Sequence, residues 1–547
     1  MTQHTEQKHS LAPARAISIA ITMVAILVNP VAYAQATTTG GTSSSSILPN
    51  LGDGTDMTPN VERSLGDRIA RELYRDPDYV DDAVLMEYVQ GIWQPLLAAA
   101  RARGELPPEQ DEAYAWEVLL GRDRSVNAFA LPGAYFGLHL GLVGIVTSRD
   151  ELASVLAHEL SHVTQRHISR MMTRQSQQAP WMLGAMILGV LAASKSPEAA
   201  NAVIMGSTAA GAQSQLNFSR DMEREADRVG FAVATQAGFA QQGFVSMFGK
   251  LQQASRLNDS GNFPYLRSHP LSTERMADMQ SRIELPNAAA VSASPTARQN
   301  VQETDHAMMS ARARVLSHYT VDALRTWAVE ADAANLAKSS AAQRAASLYG
   351  ATLAAIKLRD YKDAQTQWLR LTDSVRSDPV AARLAQLLGA ELRLAQGDSA
   401  GALTALQNGV KIQDNPSRAE LFLAAQAHLQ LSTKGPVAAA PGTRPANSLA
   451  AITQQLQTWV AGHPRDAQAW QLLSSTYAAE GRTLSSIRAQ AEVNVAQLDY
   501  PAALSRFKTA QEWARKGGAG TDHFEASIVD TRTRQVESTI REQTLER

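Results

Sequence analysis

Ser148-Arg149-Asp150-Glu151-Leu152-Ala153-Ser154-Val155-Leu156-Ala157-His158-Glu159-Leu160-Ser161-His162-Val163 is the stretch on which the reading of this chain turns. Ser148 with Glu151 three positions later predicts a capping box, the hydroxyl taking the Glu151 amide while the carboxylate reaches back, so a helix starts here. Leu152, Val155, Leu156, Leu160 and Val163 recur at helical spacing and predict an apolar stripe. His158 and His162 stand one turn apart beside it, so both imidazoles reach a single tetrahedral ion, and Glu159 is next to the position that water would take. The pattern is H-E-x-x-H, and the cofactor it predicts is Zn2+, one ion per chain.

Two neutral imidazoles leave such an ion fully charged, and an anionic third ligand would hold it while one position stays open. Ser219-Arg220-Asp221-Met222-Glu223-Arg224-Glu225-Ala226-Asp227 offers four carboxylates ahead of an apolar helical pattern at Val229, Phe231 and Val233. Glu223 and Asp227 share a helix face, so one can ligate while the other accepts a hydrogen bond from a ligating histidine. Spacing alone lets the two exchange roles and leaves Glu225 as the exposed one. Upstream, Val126 to Leu138 carries the one β signal, with Pro132-Gly133 as the turn of a hairpin. His139 and His167 lack ligand spacing and are read as structural, His167 falling five residues past His162 and off the ligand face.

His158-Glu159-Leu160-Ser161-His162, followed some 60 residues later by Ser219-Arg220, Glu223 and Ala226-Asp227, resembles the paired signature of a known family. These are the zinc metallopeptidases that include the CAAX prenyl protease and the bacterial beta-barrel assembly-enhancing protease. The resemblance covers roughly residues 50 to 285. It implies that Glu223 is the third zinc ligand, Glu159 the general base and Asp227 the partner of a ligating histidine. Asn127-Ala128-Phe129-Ala130-Leu131-Pro132-Gly133 is similar to the hairpin lining the substrate groove in that family. Ser268-His269-Pro270 with Arg275 is similar to a segment whose histidine takes the open metal position, which makes His269 the candidate latch and Arg275 the candidate stabiliser of charge near the oxyanion.

The fold class expected is mainly α: a zincin-like domain, helical with a small β-hairpin or sheet, at 58–285, a linker at 286–306, an all-α tetratricopeptide-like array at 307–516, and a C-terminal helix or tail at 517–547. The array reading rests on Asp360-Tyr361 with Ala364, Asp398 with Ala402, and Asp499-Tyr500 with Ala503. Each places a turn residue four positions before a small one, and the first two units lie 38 residues apart, near the tetratricopeptide period of about 34. Pro379, Pro416 and Pro464 fall where such units end, and Lys434 to Ser448 reads as an inserted loop.

The N-terminus reads as an address. Lys8 and Arg15 precede an apolar run from Ala16 to Val28, and Ala32-Tyr33-Ala34 offers the small residues of a cleavage site, so a signal peptide is expected at 1–34 and a Gly/Ser-rich tether at 35–57. The run of roughly 13 residues is short of the roughly 20 that span a bilayer. Trp181 to Ala193 is similarly short and reads as a buried helix, a lid over the groove, or a segment in peripheral contact with a membrane. Across 547 residues Lys plus Arg is 51 against Asp plus Glu 53, so no global field marks a nucleic-acid binder, and the absence of cysteine excludes thiolate nucleophiles and Cys-based metal sites.

The order of signal peptide, metal domain and helical repeats is similar to the soluble secreted branch of the family. That resemblance implies a periplasmic endopeptidase that degrades misfolded or stalled outer-membrane β-barrel precursors, assists their assembly and docks on the barrel-assembly machinery through its repeats. The alternative is a chaperone or scaffold for barrel assembly whose zinc site is latent or little used.

Overall fold

The computed structural model describes residues 57–174, 219–257, 263–283, 297–332, 336–407, 416–433, 449–517 and 522–545. The expected signal peptide, nearly all of the tether, Trp181 to Ala193 and the Lys434 to Ser448 insertion lie outside the described residues.

The capped stretch is a helix, Arg149–Thr164, with Ser148 Oγ accepting from the Glu151 amide at 3.2 Å. The returning carboxylate goes one residue further than a reciprocal box, taking the Thr147 amide at 2.7 Å. Every residue from Glu151 to Thr164 is buried, so the apolar stripe is one wall of an element enclosed on all sides. Helices Arg220–Gln236 and Gln242–Leu257 supply most of that enclosure, and helix Ala83–Ala102, with Val89, Ile92, Trp93 and Leu96 fully buried, packs alongside.

A four-stranded sheet covers helices Ala83–Ala102 and Arg149–Thr164, with β1 Tyr79–Val80, β2 Glu117–Gly121, β3 Ala128–Leu131 and β4 Tyr135–His139 in the order β1-β2-β4-β3. The expected hairpin is β3 and β4, antiparallel with Phe129 opposite Gly137. A Cβ at Gly137 would stand 2.1 Å from the Phe129 ring, so glycine there lets the aromatic side chain lie across its partner strand. β1 and β2 were not expected, and β2 pairs parallel with β4. Among the described residues β3 is a terminal strand of the sheet.

The expected linker at 286–306 gives way at Ala297 to a helix that runs to Ser317. That helix ties the two halves together. His306 Nε2 meets the Val146 carbonyl at 2.9 Å, its Nδ1 meets the Tyr88 hydroxyl at 2.6 Å, and Ser310 Oγ donates to the Gly144 carbonyl at 3.1 Å. One cluster of buried apolar side chains runs from Trp93, Phe136 and Leu156 through Met308 and Met309 to Tyr349, Leu388 and Phe422.

The C-terminal half is entirely helical among the described residues. Ala341–Leu358 pairs with Tyr361–Ser374, Pro379–Ala395 with Ser399–Gln407, and Ala467–Ala479 with Thr483–Ala496, ahead of Tyr500–Lys516 and His523–Leu545. The Asp and Ala pattern has a physical basis here. Arg359, Gly397 and Leu498 take left-handed backbone at φ 61°, 76° and 61°, ending one helix. Asp360, Asp398 and Asp499 follow directly and accept from the amides of Asp363, Gly401 and Ala502. Ala364, Ala402 and Ala503 lie fully buried one turn later.

Ion pairs seat this half on the first. Arg312 pairs with Asp82 and Glu391, each at 2.8 Å, Arg383 with Glu87 at 2.8 Å and Arg418 with Asp81 at 2.8 Å. Three acidic residues around the start of helix Ala83–Ala102 thus meet three arginines of the helical half.

Candidate active site

His158, Glu159 and His162 sit on the enclosed helix Arg149–Thr164, and Glu223 and Asp227 on helix Arg220–Gln236 against it. The two helices approach closely at Gly230, where a Cβ would lie 3.0 Å from the Ala157 carbonyl. Glycine therefore sets how near the carboxylates come to the histidines. Ser219 starts the second helix, its hydroxyl accepting from the Met222 amide at 3.3 Å.

One ligand atom each from His158, His162, Glu223 and His269 lie within 4.8 Å of one another, all four residues buried. His158 Nε2 and His162 Nε2 are 3.0 Å apart, and each is 3.5 Å from a Glu223 oxygen. His269 stands between helices Tyr265–Ser268 and Thr273–Arg282, its ring stacked on Tyr265. Its Nδ1 is 3.0 Å from Glu223 Oε1 and 3.4 Å from His158 Nε2, and its Nε2 is 3.5 Å from Glu159 Oε1.

Spacing left Glu223 and Asp227 interchangeable; the fold distinguishes them. Glu223 faces the imidazoles, while Asp227 Oδ1 accepts from Nδ1 of His158 at 2.9 Å. Arg275 meets Asp227 with Nε at 2.6 Å and Nη2 at 2.8 Å, and Glu223 with Nη1 at 2.8 Å. Two buried carboxylates one turn apart require a countercharge, and this guanidinium supplies it. Arg275, which the resemblance makes a candidate stabiliser of charge near the oxyanion, directs its donors instead at Asp227, Glu223 and the Pro270 carbonyl.

The electrostatics follow from burial and these contacts. Burial disfavours a charged His158, but Asp227 and Glu223 outweigh it and push the imidazole up to about 10 in the absence of a bound cation. Burial, with His158, His269 and His167 nearby, holds His162 well below the usual histidine range. Glu159 is raised by burial, against the opposing pull of His269 and His158. Glu223 and Asp227 are lowered despite burial, by His269 and His158 for the first and by Arg275 and His158 for the second.

The donor set fits a divalent cation. With Asp227 accepting from Nδ1 of His158, Nε2 of that ring faces Nε2 of His162, and an anionic Glu223 oxygen adjoins both. The proton that these neighbours hold on His158 marks the place that a cation would take, its binding displacing that proton. Neither oxygen of buried Glu159 has a hydrogen-bond partner of ordinary geometry among the described residues. A carboxylate so placed beside a cluster of ligands can take a proton from a water held there.

His167 is the residue that spacing missed. It is fully buried, with Nδ1 2.9 Å from Nδ1 of His162 and Nε2 3.1 Å from Glu225 Oε2. Burial lowers it to about 4 even with Glu225 as its neighbour. On an unbroken helix a residue five positions on would sit roughly 140° away. The helix ends instead at Thr164, Gln165 caps it, and Arg166 takes left-handed backbone at φ 53°, turning His167 back under His162. Arg166 is pinned by Glu62 at 2.7 Å, which holds a conformation disfavoured for a side-chain-bearing residue. His139 lies away from the cluster, with Ser125 Oγ 2.9 Å from its Nδ1. Asn127 and Ala128 are buried, and Phe129 and Ala130 half-buried, along the terminal strand beside the histidine helix.

A buried histidine and carboxylate cluster built for a cation, with a further carboxylate beside it and a strand edge alongside, defines a metallopeptidase. Residues 88–283 match Peptidase family M48, and the chain carries a metallopeptidase domain of that family. It is 36% identical over 237 residues to a putative beta-barrel assembly-enhancing protease of Vibrio cholerae, an alignment spanning 43% of this chain and 47% of that protein, about half of that relative's length. A beta-barrel assembly-enhancing protease of Yersinia pestis is 26% identical over 93% of this chain and 96% of its own length. The mitochondrial metalloendopeptidase OMA1 of Saccharomyces cerevisiae is 26% identical over 35% of this chain and 54% of its own.

Proposed function

We propose that this chain is a zinc-dependent endopeptidase of the bacterial periplasm that cleaves misfolded or stalled outer-membrane β-barrel precursors and assists barrel assembly. The observation that carries the reading is the convergence of His158, His162 and Glu223 next to the buried carboxylate of Glu159. His158, His162 and Glu223 would hold the ion. Bound there, Zn2+ supplies an acidified water and polarises the scissile carbonyl.

The chain's own residues do the rest. Glu159 takes the proton of the attacking water and returns it to the leaving amine, and its raised pKa suits both steps. Asp227 holds His158 with Nε2 turned to the ion, and Arg275 keeps both carboxylates of helix Arg220–Gln236 in place. An extended substrate adds a strand to β3, so selection falls on unpaired backbone more than on one side chain. His269, already among the ligands, acts as the latch that keeps the resting enzyme closed.

The link to barrel assembly rests on the names of the relatives, the periplasm on the signal-peptide pattern of residues 1–34, and docking on the barrel-assembly machinery on the family resemblance. The paired helices serve as tetratricopeptide-like units that offer the binding surface. Glu159→Gln tests the hydrolase reading: casein cleavage should fall at least a thousandfold while elemental analysis still finds one zinc per chain. Cleavage at the wild-type rate refutes it, and a wild type with neither zinc nor proteolysis leaves the scaffold reading.

A further inference from the structure

The catalytic scheme leaves His167 without a task, although it is fully buried against a proposed ligand. The rings of His162 and His167 meet edge to face, centroids 4.9 Å apart at 75°, with Nδ1 directed at Nδ1. A contact of 2.9 Å between two ring nitrogens needs one hydrogen, and only one of the pair can carry it. Beyond His167 lies the Glu225 carboxylate, whose Oε2 also takes Arg170 Nη1 at 2.8 Å.

That anion decides which way the hydrogens run. If His167 carried its hydrogen on Nδ1, its Nε2 lone pair would face the carboxylate at 3.1 Å, and His162 would hold its own hydrogen on Nε2, among the ligands. Both consequences are unfavourable. With the hydrogen on Nε2 of His167 instead, Glu225 accepts it, Nδ1 of His167 becomes an acceptor, and Nδ1–H of His162 donates to it. Nε2 of His162 is then a bare lone pair aimed at the site.

We propose that His167, itself oriented by Glu225 and Arg170, is a positioning residue that fixes the ligating tautomer of His162. The inference rests on the metal-centre reading above. It gives the centre two unlike supports: Asp227 accepts directly from His158, and a histidine relayed to Glu225 accepts from His162. The left-handed turn at Arg166 exists in the fold to deliver that second acceptor.

The test compares His167→Leu, His167→Asn and Glu225→Ala in the full chain. Zn2+ affinity is measured by competition with a chromophoric chelator, the visible spectrum is recorded after loading with Co2+, and the apoprotein is melted. The amide oxygen of asparagine can stand where Nδ1 stood and accept from His162; leucine cannot. Expected are a 10- to 100-fold weaker Zn2+ affinity and an altered Co2+ spectrum for His167→Leu, with affinity largely restored by His167→Asn. Leucine binding Zn2+ within twofold of the wild type overturns the proposal, and so does an asparagine variant as weak as leucine. Should His167→Leu fail to fold, Glu225→Ala decides: weaker binding supports the relay and unchanged binding overturns it. A wild type that binds no ion at all would instead sink the metal-centre reading itself.

Discussion

Asp227 accepts a 2.9 Å hydrogen bond from Nδ1 of His158 while both of its oxygens are held by Arg275. The carboxylate is therefore fixed before any ion arrives and sets the orientation of the ring rather than following it. Asp227→Ala should weaken Zn2+ binding by roughly 10- to 100-fold, measured by chelator competition on the apoprotein. Arg275 keeps its ion pair with Glu223 in that variant, so the fold should survive. Unaltered affinity would mean that the histidine needs no such partner.

Strand β3 offers a more direct test of how substrate is held. His139 N donates to the Asn127 carbonyl, so Asn127, Phe129 and Leu131 turn their backbone groups to β4, and Ala128 and Ala130 turn theirs off the sheet. Ala130→Pro deletes one of those outward donors without breaking the ladder, and terminal strands tolerate proline. It should lower kcat/KM on an unfolded protein about tenfold or more and leave Zn2+ affinity unchanged, whereas Ala130→Val should keep both. Equal loss in the two variants would point to the side chain and away from backbone pairing.

His269 has its Nδ1 3.0 Å from Glu223 and its Nε2 3.5 Å from Glu159, which places it between the ligands and the base. A peptide carbonyl and an attacking water need that same volume. His269→Ala should therefore raise basal cleavage of casein several-fold; turnover that stays level or drops would count against a latch.

The parts of this molecule that could be read from the sequence are those whose signal is local. The Ser148 cap, the one-turn spacing of His158 and His162, and the Asp and Ala pairs at helix starts each act within a few residues, and the structure has the cap and the helix starts where the sequence puts them and brings the two imidazoles together. β2 could not be read that way. Val118, Leu119 and Leu120 are a short buried run whose identity as a strand depends on pairing with Tyr135–His139 and Tyr79–Val80, neither adjacent in sequence. The helix from Ala297 begins in polar sequence directly behind a Pro-, Ala- and Ser-rich stretch that reads as a spacer, and its stability comes from the surface it covers. His167 was hidden by a single left-handed residue, Arg166, which breaks the helical arithmetic; the available signal was a third histidine close behind the motif.

Asp305, on helix Ala297–Ser317, joins the two halves near the start of the histidine helix and makes stability depend on pH. Burial raises its carboxyl to about 6, with Asp378 adding to the rise and Arg149 and the His306 amide opposing it. Arg149 Nη1 stands 3.6 Å away, and Asp305 Oδ1 has no hydrogen-bond partner among the described residues. An unfolded aspartate titrates near 3.9, so the folded protein binds the extra proton between that value and 6. The stabilising contribution is therefore complete below about 3.9 and is lost as pH rises through 6, leaving a constant penalty of about 1–3 kcal/mol above it. Asp305→Asn cannot ionise and should gain stability relative to the wild type at pH 8 and not at pH 4. Urea unfolding of both proteins at the two pH values measures this, and a difference that does not change with pH would place the titration elsewhere.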